Sequence, residues 1–271
     1  MIFLTATLIY IAIGVLSGFL AGLLGVGGGS VLVPALAWAF ELAHEPSQWV
    51  FRLALGTSMA TILFTSLSSL LSHHRKEGVI WPIVGTFTPG ILVGTLIGTF
   101  LARHVPSLGL VIFFALFMGL VAFQMIFEFK PKPGRVLPGK AGQLGVAALI
   151  GCVSSLVAVG GAAMTVPFLT WCNVSIRKAI GTAAALGFPI ALGGTLGFVF
   201  NGWAAPGLPE GSVGFVYLPA LVWTVLASML TAPLGARATQ VLPAHILRKV
   251  FAVVLLCVSV EMLHGAWTKL S

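Results

Sequence analysis

Charged side chains are scarce in this chain. Aspartate, glutamate, lysine and arginine make up 7% of its 271 residues, whereas 58% of the residues are hydrophobic. Soluble globular domains carry about 25% charged residues, so a soluble domain is excluded. The formal net charge of +8 comes from basic residues in short connections between apolar runs. Basic residues in such places are typical of membrane topology signals, so we expect a bilayer protein with no nucleic-acid partner.

Motifs for redox, metal and ATP chemistry are also missing. Cys152, Cys172 and Cys257 stand singly in apolar segments, without a CxxC pair or a histidine at metal-ligand spacing. No GxxxxGK[ST] loop for ATP occurs. The apolar runs contain no nucleophilic side chain at helical spacing from a general base. This argues against a membrane-embedded enzyme. We expect no metal and no cofactor, so any transport is passive or coupled to an ion gradient unless a partner supplies energy.

Glycine is abundant where a helix would least tolerate it. Residues 22–34 read GLLGVGGGSVLVP, with five glycines in eight positions. Each glycine inside a helix costs roughly 1 kcal/mol relative to alanine, so the stretch predicts a helix break. Glycines in membrane helices also permit close packing, and we prefer that interpretation for the overlapping GxxxG patterns at 14–22 and 90–98.

The broken stretch occurs twice. Residues 18–34, GFLAGLLGVGGGSVLVP, are matched at an offset of 133 by residues 151–167, GCVSSLVAVGGAAMTVP. The following helices open alike, with FRLALGT ending at Thr57 and IRKAIGT ending at Thr182. The chain is therefore interpreted as two copies of one unit, and the N-terminal segment as part of the fold instead of a cleaved signal peptide. The copies are predicted at 1–129 and 143–271, joined by a basic cytoplasmic linker at 130–142.

The apolar runs and the basic residues predict the topology. In each copy a short arm of about ten residues follows the glycines, and three later runs exceed the ~20 residues of a membrane helix. The later runs lie near 50–72, 79–102 and 107–129, and near 176–200, 213–236 and 246–268. If the broken segment crosses the membrane once, the fourteen lysine and arginine residues divide seven to seven between the two sides. If it forms a re-entrant hairpin, the second copy is inverted and eleven of the fourteen lie on one side. Two extra full crossings would give the same parity.

The positive-inside rule favours the uneven division. We therefore predict an all-α integral membrane protein of two inverted repeats, each with a glycine-broken, re-entrant first helix followed by three transmembrane helices. Both termini would lie outside, on the periplasmic side.

Broken helices in inverted repeats predict a substrate site. Secondary transporters bind substrate where such breaks meet, and the N–H groups at a helix start suit an anion. The predicted substrate-binding residues are Gly27, Gly28, Gly29, Ser30, Thr57, Ser58, Gly160, Gly161 and Thr182. In the second copy Ala162 and Ala163 replace Gly29 and Ser30, which argues against a symmetric pair of anion contacts.

Three charged residues are further candidates. Arg52 and Arg177 open equivalent helices, where a guanidinium could attract anions and hold an oxyanion through two hydrogen bonds. An arginine at a helix end can equally anchor the helix at the headgroups. Glu261, close to His264, could carry a proton coupled to transport or lie in the headgroup region.

The duplicated pattern of a glycine-rich break, a short apolar arm with proline and an R-x-A-x-G-T helix opening resembles the TauE/SafE sulfite exporter family. The resemblance covers essentially the whole chain. It implies export or exchange of small sulfur-containing anions such as sulfite and sulfoacetate, in a bacterial inner membrane. We predict a secondary transporter that works by alternating access between the repeats. A passive anion channel of the same fold, an importer of another small organic anion and a structural scaffold are the alternatives, and the coupling ion and oligomeric state stay open.

Overall fold

The protein is a helical bundle, seen here in a computed structural model. The structure describes residues 2–24, 28–75, 78–127, 134, 136–241 and 244–268. Within these residues the first five helices are α1 (Ile2–Leu24), α2 (Gly29–Leu42), α3 (Ser47–Arg75), α4 (Trp81–His104) and α5 (Ser107–Ile126). The next five are α6 (Lys140–Val157), α7 (Ala162–Trp171), α8 (Ile176–Gly202), α9 (Leu218–Val241) and α10 (Ala244–Thr268). The same order of one long, one short and three long helices thus occurs twice.

Eight of the described helices are long and apolar enough to cross a membrane, and α2 and α7 are the two shorter ones. The all-α membrane fold is therefore confirmed. The helices that precede the breaks, α1 and α6, are themselves among the eight. A re-entrant first helix stays a prediction.

One predicted helix begins later than the apolar run indicated. Residues 213–217 were expected to be helical, but Ser212–Val213 and Val216–Tyr217 form the antiparallel strands β1 and β2 before α9 begins. Gly211 and Gly214 adopt positive φ values of 85° and 56° there. Two such residues favour a tight turn over a helix, and hydropathy alone does not distinguish the two.

The two short helices end in the same way. His44 after α2 and Asn173 after α7 have left-handed φ values of 58° and 61°. In each case the next residue donates its N–H back to a carbonyl in the last turn, at Phe40 and Leu169 respectively, over 3.0 Å. This Schellman-type ending closes both arms without a glycine.

The GxxxG stretches pack one copy against the other. Gly14, Gly18 and Gly22 of α1 lie against Thr224, Ser228 and Ala232 of α9, and Gly90, Gly94 and Gly98 of α4 lie against Leu144, Ala148 and Cys152 of α6. The residue numbers rise together, so both pairs are parallel. The close-packing interpretation of these glycines is confirmed. Each copy thereby packs its first helix on the fourth helix of the other.

The central pair, α3 and α8, runs antiparallel. A Cβ on Gly194 would lie 3.0 Å from Met59 Sδ, and one on Gly187 would lie 3.6 Å from Ser66 Cβ. The numbers therefore rise along α3 as they fall along α8. These helices hold equivalent places in the two copies, so their antiparallel packing is the relationship that inverted repeats require. It supports the inversion, which stays a prediction with respect to the membrane.

The first break folds the chain back on itself. Gly28, just before α2, lies beside Ala21 of α1, where a Cβ on Gly28 would come within 3.0 Å of the Ala21 Cβ. At the other end of α2, the Phe40 ring lies 6.2 Å from the ring of Tyr10. Helices α1 and α2 are therefore antiparallel, and α2 returns toward the end at which α1 begins.

Candidate functional site

The two breaks meet at the centre of the bundle. Gly29, the first residue of α2, lies directly against the carbonyl oxygen of Ala158, which ends α6. A side chain at Gly29 would overlap that oxygen, so the close approach requires glycine. Ala158 has a left-handed backbone with φ of 45°. The structure thus joins the break of the first copy to the break of the second.

Each short helix starts from a glycine in the same conformation. Gly28 and Gly161 have φ values of 67° and 69°, the left-handed region that favours glycine. Their carbonyls accept the first helical hydrogen bonds, from Leu32 at 3.0 Å and Thr165 at 2.8 Å. Gly28 and Gly161 therefore cap α2 and α7. The first-turn N–H groups of both helices lie at the breaks. Gly27 lies outside the described residues.

Three buried hydroxyls beside the breaks lack a partner among the described residues. They are those of Ser30, Ser58 and Thr165, with 3%, 0% and 0% of the side chain exposed. A buried hydroxyl without a hydrogen bond costs about 1–3 kcal/mol. These hydroxyls therefore favour a polar ligand or ordered water between the breaks.

Their positions tie the hydroxyls to both breaks. Ser30 belongs to the first turn of α2. Ser58 is one helical turn from Ile62, whose Cδ1 lies 2.8 Å from the Cβ position of Gly29. The Thr165 Oγ1 lies 3.7 Å from the Cβ position of Gly161.

Thr165 was missed at the sequence level. Its equivalent in the first copy, at the offset of 133, is Leu32, so the repeat gave no pair of hydroxyls to notice. The one available signal was that Thr165 is the only hydroxyl in AVGGAAMTVP, residues 158–167.

Thr57 and Thr182 make reciprocal contacts between the copies. The Thr57 Oγ1 of α3 accepts the N–H of Tyr217, just before α9, at 3.0 Å. The Thr182 Oγ1 of α8 accepts the N–H of Ile80, just before α4, at 3.0 Å. Both threonines are fully buried. These bonds favour a positioning role, and contact of either hydroxyl with substrate stays a prediction.

The glycines before these threonines repeat the exchange. Gly56 lies against the carbonyl oxygen of Phe215, and Gly181 lies against that of Gly78. Each Gly-Thr pair therefore holds the chain segment that enters the fourth helix of the other copy.

Arg52 bonds to the protein itself, and its predicted role in attracting anions stays a prediction. Its Nε donates to the Ala102 carbonyl at 2.9 Å, and its side chain is 7% exposed. The other four donors are used too. Nη1 bonds the Gln48 carbonyl and Ser107 Oγ, and Nη2 bonds the carbonyls of Arg103 and Val105, at 2.7–3.3 Å. All five guanidinium N–H groups are thus occupied within the protein, by acceptors in α3, α4 and α5 and the turn between α4 and α5.

The other two charged candidates lie away from the breaks. Arg177 is exposed in the first turn of α8, and Glu261 is exposed on α10. Their predicted roles in attracting anions and carrying protons stay predictions. Among the described residues no three His, Cys, Asp or Glu side chains form a metal-binding group. The polar groups that the breaks offer are hydroxyls and main-chain amides.

The chain is similar in sequence to known membrane proteins. The family described as sulfite exporter TauE/SafE matches residues 10–262. A "probable membrane transporter protein" of Haemophilus influenzae is 36% identical over 261 residues, covering 95% of this chain and 98% of its own. "Probable membrane transporter protein YdhB" of Bacillus subtilis is 29% identical over 243 residues, covering 86% of this chain and 90% of its own.

The family match extends across both breaks, both Gly-Thr pairs and the helices between them. The duplicated pattern that suggested a resemblance is therefore part of one continuous match. The chain belongs to the sulfite exporter TauE/SafE family of membrane transporters.

Proposed function

We propose that the protein exports a small anion as a secondary transporter, and that the anion is a sulfur oxyanion or organosulfonate such as sulfite or sulfoacetate. The observation that carries the proposal is the contact between Gly29 and Ala158, which joins the two helix breaks. The buried hydroxyls of Ser30 in α2, Ser58 in α3 and Thr165 in α7, which have no partner among the described residues, support it. Amides at helix starts and hydroxyls donate hydrogen bonds to oxyanions. The name of the family supports a sulfur oxyanion as substrate.

Alternating access is the mechanism that fits this burial. Gly28, Gly29, Ser30, Ser58, Gly160 and Gly161 are all buried. An anion can therefore reach them only when helices move. We propose that the two copies, 1–129 and 143–271, move against each other and open the breaks to one side of the membrane at a time. The bacterial inner membrane, with both termini on the periplasmic side, is the proposed setting.

Flux through purified protein tests the proposal. Uptake of radiolabelled sulfite and of radiolabelled sulfoacetate is measured in proteoliposomes over a range of concentrations, for wild type, Ser30→Ala and Ser58→Ala. A hydrogen bond to a charged group contributes about 1.5–3 kcal/mol, so each variant should raise KM roughly tenfold or more. The folded state should not suffer, because the alanine removes an unsatisfied buried hydroxyl.

Ser259→Ala is the matched control. The Ser259 hydroxyl is also buried but donates to the Ala115 carbonyl at 2.7 Å, between α10 and α5. Its loss should lower the melting temperature and leave KM unchanged. Absence of saturable sulfite or sulfoacetate flux would refute the substrate class, and an unchanged KM in both site variants would refute the site.

A further inference from the structure

The helices that form the site carry no charge near it. Residues 11–40, 53–72, 147–171 and 179–209 contain no aspartate, glutamate, lysine or arginine. These ranges include both breaks, both short helices except the end of α2, and most of α3 and α8. No side chain of these segments can supply a counter-ion to a bound anion.

The three charged candidates from the sequence do not supply one either. Arg52 donates all five of its guanidinium N–H groups to neighbouring carbonyls and a serine hydroxyl. Arg177 is exposed at the start of α8. Glu261 would repel an anion, and it is exposed on α10. Among the described residues of these segments, the donors available to a bound anion are therefore neutral: the hydroxyls of Ser30, Ser58 and Thr165 and the amides at the helix starts.

Neutral donors treat one charge and two charges differently. Removing an ion from water costs a free energy that grows with the square of its charge, because the ion polarises the solvent. The attraction of a fixed dipole for the ion grows only in proportion to the charge. A second charge thus quadruples the free energy of desolvation but only doubles the attraction of the fixed dipoles. Without a cation the balance turns against a dianion.

We infer that the site between the breaks selects singly charged anions over doubly charged ones of the same shape. The inference rests on the proposed function and narrows its substrate class. Hydrogensulfite and sulfonates with one charge fit the site, whereas the sulfite dianion and sulfoacetate, which carries a sulfonate and a carboxylate, fit it poorly.

A competition assay with two isosteric sulfonates tests the inference. Uptake of labelled sulfite into wild-type proteoliposomes is measured at pH 7.5 with increasing unlabelled sulfoacetate or sulfoacetamide. The two compounds have the same sulfonate and the same number of heavy atoms, but the amide of the second carries no charge. We expect sulfoacetamide to inhibit at concentrations at least about tenfold lower than sulfoacetate.

The outcomes separate this inference from the proposed function. Equal inhibition by the two compounds, stronger inhibition by sulfoacetate, or inhibition by neither overturns the charge selectivity. In each of these cases saturable uptake of sulfite itself leaves the proposed function standing. If no sulfite uptake is measured, direct flux of the two sulfonates replaces competition, and faster sulfoacetate flux or no flux of either overturns the selectivity.

Discussion

Gly29 lies against the main-chain carbonyl oxygen of Ala158, and this contact links a helix start in one copy to a helix end in the other. In the proposed site, neither copy would supply all the donors by itself. The first supplies Ser30 and Ser58, and the second supplies Thr165. Relative motion of the copies would therefore change the site directly.

The antiparallel packing of α3 and α8 predicts a specific disulfide. Ser66 Cβ lies 3.6 Å from the Cβ position of Gly187, within the 3.5–4.5 Å that a disulfide spans. In a background without the native cysteines, Ser66→Cys with Gly187→Cys should cross-link on mild oxidation. The measurement is the mobility shift of protein cut within the 130–142 linker.

The control pairs Ser66→Cys with Gly194→Cys. Gly194 contacts Met59 instead, about two turns from Gly187, so this pair should stay reduced. Efficient cross-linking of the control, with none in the first pair, would contradict the antiparallel packing.

The reciprocal threonine bonds predict equal losses of stability. Thr57→Val leaves the N–H of Tyr217 without its acceptor, and Thr182→Val does the same to Ile80. Each should lower the free energy of unfolding by about 1–3 kcal/mol, measured by denaturant titration in detergent. Serine at either position keeps the acceptor and should recover most of the loss. A valine variant as stable as wild type would show that the bond does not form.

The occupied guanidinium predicts that charge alone cannot replace Arg52. Lysine has three donors on one nitrogen and cannot reach acceptors in three helices. Arg52→Lys should lower the free energy of unfolding by about 2 kcal/mol or more, with KM for sulfite unchanged. Arg103→Lys, at an exposed position on α4, is the control and should have little effect. A raised KM for sulfite with unchanged stability in Arg52→Lys would contradict this prediction and indicate that Arg52 binds the anion.

Glu45 gives a prediction on pH. It lies between α2 and α3, where burial raises the pKa of its carboxyl. The folded state therefore binds a proton more tightly than the unfolded chain, so its stability falls as the pH rises between the ordinary and the raised pKa. Glu45→Gln should raise the melting temperature at pH 7.5, and the difference should disappear near pH 4. Glu210→Gln, in the exposed loop before β1, controls for removal of one carboxylate.

Much of the fold could be predicted because membrane helices follow from local composition. The long apolar runs, the duplication and the positions of the breaks all depend on neighbours in sequence, and the structure has helices at these places. The start of α9 could not be predicted this way. Its turn depends on Gly211 and Gly214, which hydropathy averages away.

The site was less accessible to sequence reasoning because its contacts are long-range. Four of the five acceptors of Arg52 are 50–55 residues away, and the partner of Thr57 is 160 residues away. A sequence motif can identify such residues, but it does not show which distant residues they contact. Thr165 shows a different difficulty, since it lies outside the residues that the two copies share, where Leu32 is its equivalent.

Counterflow of sulfite tests the central claim most directly. Proteoliposomes loaded with unlabelled sulfite are diluted into a trace of labelled sulfite, for wild type, Ser58→Ala and Ser259→Ala. An exchanging site between the breaks predicts transient accumulation of label above equilibrium in wild type and Ser259→Ala, and a much smaller overshoot in Ser58→Ala. Simple equilibration without overshoot in wild type, or an equal overshoot in Ser58→Ala, would contradict transport through that site.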